Sequence, residues 1–400
     1  MPWAVDWDGA FVVGGPGNTT LTPNFKLKEF QTPDGKCRVH RELVTAIQVV
    51  REHFGKPLRI VSVDADGLGA VLGGDPAPDL AKAAADAQSH GLLDSVSQDA
   101  GNVRVRMPDP SALPDVSVED ALKTAFLVTS GFETSGDKFQ QVTGNFDGAG
   151  ISFGPAQVNF RSGTLQELLK RLRAADEAAL RACFTDPDDY DELISKLPGS
   201  STALIKWSDS KSTGGNNSEV IEPWRTYFHK IGQVPRFREI MVEQIYETYG
   251  AGLKRAITYL NKVRPDIRID HLRCICSLWD LCIQQGSVDY VTDKVDVPKA
   301  IAARVSRENP KDQFELVRIA VEERANVATS KFVDDCKSRR LGLLNGVPTT
   351  VGVKQRSNVN FYLLRDVRLP ETVDLTNIDV PTVIARASTA IASGGGVFNV

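Results

Sequence analysis

Glu133 and Asp147 stand fourteen positions apart, each in a setting that suits a carboxyl group to acid–base work. Glu133 follows an apolar run in which Val118, Ala121, Leu122, Ala125, Phe126 and Thr129 recur at helical spacing. Ser117 and Asp120 form a loose capping box before it, and Gly131 is placed to close the helix, so Phe132 and Glu133 fall at its lip. A carboxyl group held against apolar neighbours loses hydration in its charged form and keeps its proton to higher pH. A proton donor needs that property. Asp147 opens the turn signal Asp147-Gly148-Ala149-Gly150, between a strand-like run over 141–146 and an apolar run over 151–153. Each residue alone has a plainer reading: Glu133 as a solvated residue past a helix, Asp147 as a turn former whose side chain bonds nearby amides. Together they match glycoside hydrolysis, which places two carboxyl groups about 5–5.5 Å apart for retention and ~6.5–9.5 Å for inversion. A helix end facing a hairpin supplies such a gap, and the sequence leaves the distance open.

The residues around the pair carry a resemblance. Gly131-Phe132-Glu133, followed by VTGNFDGAGISFGPAQVNFRSGTLQELL over 142–169, is similar to the lysozyme-like, chitosanase-related domains of phage-type and bacterial cell-wall hydrolases. EPWRTYF at 222–228, LWDLCIQQGSV at 278–288 and KSRRLGLLNG at 337–346 extend the similarity over roughly 117–354. The resemblance implies Glu133 as general acid and Asp147 as base or electrostatic partner. It also implies sugar contacts from Ser152, Gln157, Asn159 and Gln285, with no cofactor and no metal. Gln285 has an ordinary helix-capping role as its alternative. Related domains usually carry Trp where this chain has Val158, and that Trp is an aromatic able to stack on a sugar ring.

Residues 19 to about 110 read as a small α/β unit. Val44, Ile47, Val50 and Phe54 line one face of a helix starting near His40, Gly55-Lys56-Pro57 ends it, and Leu58 to Val63 follows as a buried strand. This segment resembles the N-terminal half of the zinc D-alanyl-D-alanine carboxypeptidases. Asp86 matches a ligand of that family, but Asp79 stands where a His belongs, and Arg104-Val105-Arg106 replaces the later His-x-Asp. Zinc wants nitrogen, sulfur or carboxylate ligands, and arginines nearby repel a dication, so the expectation is a degenerate, non-catalytic domain. His40, His53 and His90 are read as surface or capping residues. Met107-Pro108-Asp109-Pro110 and Pro114 mark a linker.

The resulting expectation is an α+β chain. Residues 1–110 form the peptidase-like domain, 111–116 a Pro-rich linker, 117–354 a mainly helical domain with a β-hairpin at its cleft, and 355–400 a β-rich tail able to dock on particle or tail proteins. Thr164 and Glu167 are expected to box the start of a helix through about Asp176. Ile240, Ile245, Tyr249, Leu253, Ile257 and Leu260 mark a buried central helix. The polar run over 209–219 reads as a mobile loop, either a lid or a connector, and 304–324 as a solvated charged face. The six cysteines are scattered, which points to buried reduced thiols rather than a disulfide framework. A net charge of −4 offers no strong field toward nucleic acid or an anionic membrane. No apolar run approaches the roughly 20 residues of a membrane span, and MPWAVDWDGAFVV lacks the features of a secretory leader. The expected partner is the glycan strand of peptidoglycan, reached from a bacterial cytoplasm after lysis or by delivery. The alternative is a non-catalytic peptidoglycan-binding protein or a structural part of a phage-tail-like or contractile injection particle.

Overall fold

A computed structural model describes residues 5–8, 10–99, 101–109, 115–133, 139–346, 359 and 361–377, apart from the side chains of Trp7, Glu133 and Tyr362. Much of the expected linker, and residues 378–400 of the expected tail, lie outside the described residues. Strands β1 (Asp6–Asp8), β2 (Phe11–Gly14) and β3 (Val39–His40) form an antiparallel sheet that runs straight into helix α1 (Arg41–Phe54). His40 caps that helix, its Nδ1 accepting the Glu42 N–H at 3.2 Å, and Gly55 ends it at φ 70°. Strand β4 (Leu58–Val63), β5 (Gly69–Gly74), helix α2 (Ala77–Ser89), β6 (Ser95–Asp99) and β7 (Asn102–Arg106) follow. They build an antiparallel sheet of order β4-β5-β7-β6.

β4 is an edge strand rather than the buried strand expected. Arg59, Val61 and Ser62 are exposed, and a bulge between Ile60 and Ser62 turns Val61 outward. A short apolar run does not tell an edge from a centre, because both faces are not settled by composition. Three of the positions compared with zinc ligands, Asp79, Arg104 and Arg106, are engaged in ion pairs. Asp79 and Asp86 ride on α2, Asp79 lies 3.7 Å from Lys56, Arg104 pairs with Asp64 at 2.7 Å and Arg106 with Asp66 at 2.6 Å.

The helical part begins with α3 (Val118–Glu133), where Ser117 Oγ accepts the Asp120 N–H and donates to the Asp120 carboxylate, as expected. Gly131 does not close the helix. It is buried, and the chain stays helical through Glu133, because packing on the protein interior outweighs the glycine's local preference. Three two-residue strands follow, β8 (Val142–Thr143), β9 (Ser152–Phe153) and β10 (Val158–Asn159). Next come α4 (Thr164–Ala182), α5 (Pro187–Lys196), α6 (Ser201–Ser210), β11 (Ser212–Thr213), β12 (Glu219–Val220), α7 (Trp224–Ile231) and α8 (Pro235–Val263). The expected Thr164–Glu167 box does not form. Gly163 is the N-cap, and Thr164 Oγ1 instead accepts the Asn159 N–H, while α4, expected to end near Asp176, only kinks there and runs on to Ala182.

Helix α9 (Leu272–Gln285) is the axis of this part, every residue from Leu272 to Cys282 being buried. Apart from Arg273, Ser277 and Asp280 this stretch is apolar, and α3, α8, α11 (Gln313–Asn326) and α12 (Val333–Asn345) pack around it, with α10 (Val297–Glu308) outside. The stripe from Ile240 to Leu260 on α8 is buried except at Tyr249, which is half-buried. All six cysteines are free thiols, and all but Cys37 are buried. The charged residues of 304–324 are not a plain solvated face: Arg304 bridges Glu322 at 2.5 Å and Glu323 at 3.0 Å between α10 and α11, all three mostly covered. The described part of the tail is not β-rich. It holds a 3-10 turn at Phe361–Leu363 and a strap whose Arg368 bridges Asp115 and His271. Val and Thr content mimics a strand there, but the backbone bonds go to loop ends rather than to a ladder. One connected apolar core runs from the N-terminal unit into the helices. Among the described residues no helix is long and apolar enough to cross a membrane.

Candidate active site

β8, β9 and β10 form a small antiparallel sheet of order β10-β9-β8. Its register sets Val142, Phe153 and Val158 opposite one another, and Thr143, Ser152 and Asn159 opposite one another. Directly paired residues share a face, so the first row is apolar and the second polar. Phe153 and Val158 are buried, Phe153 stacking on Phe237 of α8 at 5.5 Å. Three of the expected sugar-contact residues therefore gather here: Ser152 and Asn159 in one row, and Gln157 bonded to Thr143 at 3.3 Å. Gln157 takes a left-handed backbone, φ 46°.

The β8–β9 turn carries Asp147 at an exposed tip. Its Oδ1 accepts the Ala149 N–H at 2.9 Å, the local backbone role open to any Asp in such a turn. Five further bonds brace the turn. Asn145 Oδ1 accepts the Gly150 N–H and Asn145 Nδ2 donates to Asp209, both at 2.6 Å. Ser212 Oγ accepts the Asn145 N–H at 3.1 Å, and Ser208 Oγ accepts the Ile151 N–H at 3.2 Å. Arg161 Nη2 donates to the Gly148 carbonyl at 2.7 Å. The polar run over 209–219, expected as a mobile loop, is the hairpin β11–β12, and Ser218 O accepts the Gly144 N–H at 3.1 Å. Gly144 is required there, since a Cβ would strike the Glu219 carbonyl at 2.6 Å. Asn145, Asp209, Ser208, Ser212 and Arg161 were not singled out from the sequence. Their partners lie up to 67 positions away, and only the Asn before Phe-Asp-Gly gave a local sign.

Glu133 is the last residue of α3, and its side chain lies outside the described residues. Its neighbour Phe132 packs under the Arg339 guanidinium at 4.6 Å. Arg339 pairs with Asp280 at 2.6 Å, and Arg340 Nη2 donates to Gln284 at 2.9 Å. Asp280 and Arg340 are fully buried, and burial pushes the Arg340 guanidinium down to about 10 despite the neighbouring carboxylate. A buried charge cluster thus backs the end of the helix that carries Glu133. Gln285 is not on the β-sheet. Its carbonyl accepts from Arg324, and the following Gly286 lies against Gly252. The β-sheet touches α8 near Met241. Gly252 is eleven residues further along, about 16 Å at 1.5 Å per residue. Among the described residues no group of three His, Cys, Asp or Glu side chains is arranged to hold a metal.

No protein-family model matches the chain, and no curated protein matches it significantly. Among solved structures it is similar to a GH46 chitosanase of Gynuella sunshinyii in complex with chitotetraose, at 15% identity over 57% of this chain and 88% of that one, TM-score 0.39. It is also similar to a native chitosanase from Bacillus subtilis MY002, at 16% identity over the same shares and TM-score 0.37, and to a mutant of that enzyme complexed with 6 GlcN, at 15% identity and TM-score 0.36. These likenesses are low in identity and in TM-score, and they assign neither residue roles nor a substrate to this chain. The likeness of the N-terminal unit to zinc carboxypeptidases finds no support in them.

Proposed function

We propose that this protein is a glycoside hydrolase acting on peptidoglycan or a related amino-sugar polymer. Glu133 donates the proton to the glycosidic oxygen, and Asp147 activates water or steadies the positive charge developing on the sugar. The observation that carries this reading is the braced turn. Six hydrogen bonds from α6, β11, Arg161 and the turn's own side chains fix an exposed carboxylate in the segment that follows the helix ending at Glu133. Preorganised groups of this kind are what a catalytic site requires. Thr143 and Asn159 of the polar row, with Gln157 beside them, supply donors and acceptors for sugar hydroxyls, while Ser152 between them is buried. Such an enzyme meets the wall after lysis or by delivery.

The test is release of reducing ends from purified sacculi and from partly acetylated chitosan. Glu133→Gln and Asp147→Asn should each cut the rate at least a hundredfold, the scale of general acid–base catalysis, with an unchanged circular dichroism spectrum. Full turnover by Glu133→Gln sinks the assignment. A second reading has its own support: Val158 is buried beneath the sheet and offers no aromatic to a sugar, and Asp147 already serves a turn. In that case the chain is a non-catalytic wall-binding or particle component, and it would be retained on sacculi without releasing reducing sugar.

A further inference from the structure

We infer that Phe146 is the platform on which one pyranose ring of the glycan stacks beside Asp147. The ligand's identity rests on the hydrolase reading, whereas the geometry rests on the hairpin alone. Phe146 is 53% exposed at the tip of the β8–β9 turn. Its backbone has little freedom to fold the ring away. The residue before it, Asn145, is held on both its amide and its side chain, and Gly148 and Ala149 beyond it are held by Arg161 and Asp147. The fold therefore keeps a phenyl ring in water on a rigid support, next to the carboxylate proposed to act on the sugar.

A hexopyranose presents an apolar face of C–H bonds and a polar rim. The phenyl ring suits the face, while Asp147 suits the rim. Stacking from the turn also supplies what Val158, buried below the sheet, does not. The local charge narrows the ligand class. Asp147 adjoins Phe146, and Asp209 is bonded to Asn145 on its other side, while the nearby cation Arg161 is engaged with the Gly148 carbonyl. The Asp147 carboxylate next to the ring repels a phosphodiester backbone and favours an uncharged or amine-bearing sugar.

The experiment uses the full chain with glucosamine and N-acetylglucosamine tetramers, and with purified sacculi for turnover. Phe146→Ala is expected to raise KM and the tetramer dissociation constant about tenfold, in the range of one stacked ring, while kcat stays within about twofold. Phe146→Trp should restore binding and add an emission change on saccharide addition that the wild-type chain, with its five tryptophans, does not show. If the wild type turns over sacculi and Phe146→Ala leaves KM and affinity unchanged, the stacking role falls and the hydrolase reading stands. If turnover is absent but affinity still depends on Phe146 and the emission of the Phe146→Trp variant responds, the stacking role stands and the hydrolase reading falls. Neither turnover nor saccharide binding overturns both.

Discussion

Glu42→Gln should destabilise the whole chain although it lies far from the proposed site. Glu42 opens α1, and its carboxylate is 2.7 Å from the Arg273 guanidinium at the start of α9. The two side chains are 7% and 2% exposed. Arg273 also donates from Nε to the Leu364 carbonyl at 2.9 Å, and the nearby Asp366 is bonded to His271 at 2.5 Å. The substitution keeps the shape and removes the charge, so a buried guanidinium loses its direct counter-ion. Breaking a buried pair in this way costs about 3–5 kcal/mol. Asp366 remains as a second carboxylate, which places the expectation near the lower end, about 3 kcal/mol. At about 2.1 cal/mol/K per residue, a 400-residue cooperative unit loses roughly 4 °C in Tm for that change. Calorimetry and urea titration read it directly. Arg273→Met in the same chain should restore part of the loss, because the buried guanidinium goes with its partner, although Asp366 and the Leu364 carbonyl lose it too. A single variant within about 0.5 kcal/mol of wild type, or a double variant whose losses simply add, would refute the reasoning.

Acid should weaken the same junction. Burial holds His40 and His271 below the usual histidine value of 6.5, and in each case Nδ1 accepts a backbone N–H at a helix start, which a charged ring does not do. His271 is therefore neutral, donating from Nε2 to an ionised Asp366, whose carboxyl that bond holds low against the opposing effect of burial. Glu42, Arg41, Arg273 and Asp366 are the charged groups facing the pair. Because both folded-state values lie below the unfolded one, the contribution is complete above about pH 6.5 and is lost as pH falls through the folded values. Tm followed from about pH 8 to 4.5 should drop on the acid side, and the double variant His40→Asn/His271→Asn, which keeps a capping acceptor, should flatten that drop; an unaltered slope would count against it. Gly144→Ala should lower both stability and turnover, since the new methyl group meets the Asn217 and Glu219 carbonyls and pushes β12 from the turn. Wild-type activity and Tm in that variant would mean the brace is dispensable.

Local signals carried the sequence a long way. The Ser117 cap, the His40–Gly55 limits of α1 and the apolar stripe of α8 all depend on neighbours within a few positions, and all appear in the structure. The departures share a cause. Gly131 stays helical, Leu58 to Val63 lies at an edge, and 209–219 pairs as a hairpin, because distant packing decides each. Arg304 likewise looks like surface charge until Glu322 and Glu323 are brought across from α11. For the site, residue types in the turn were legible, but the partners that hold it rigid were not. Asn145 and Asp209 are 64 positions apart, and nothing in either segment names the other.

Two buried charges on α9 tie these parts together mechanically. Its first turn holds Arg273, which joins the N-terminal unit through Glu42 and the C-terminal strap through Leu364. Two turns further on stands Asp280, which anchors Arg339 against Phe132, the residue before Glu133. Seven residues at 1.5 Å each separate Arg273 from Asp280 by about 10 Å. Between them the helix is buried without a break, so a shift at one end has no solvent-facing segment in which to dissipate. A helix that must stay in the core yet carry charge needs each charge paired across to another segment. Those pairings are what connect the N-terminal unit, the strap and the helix bearing Glu133.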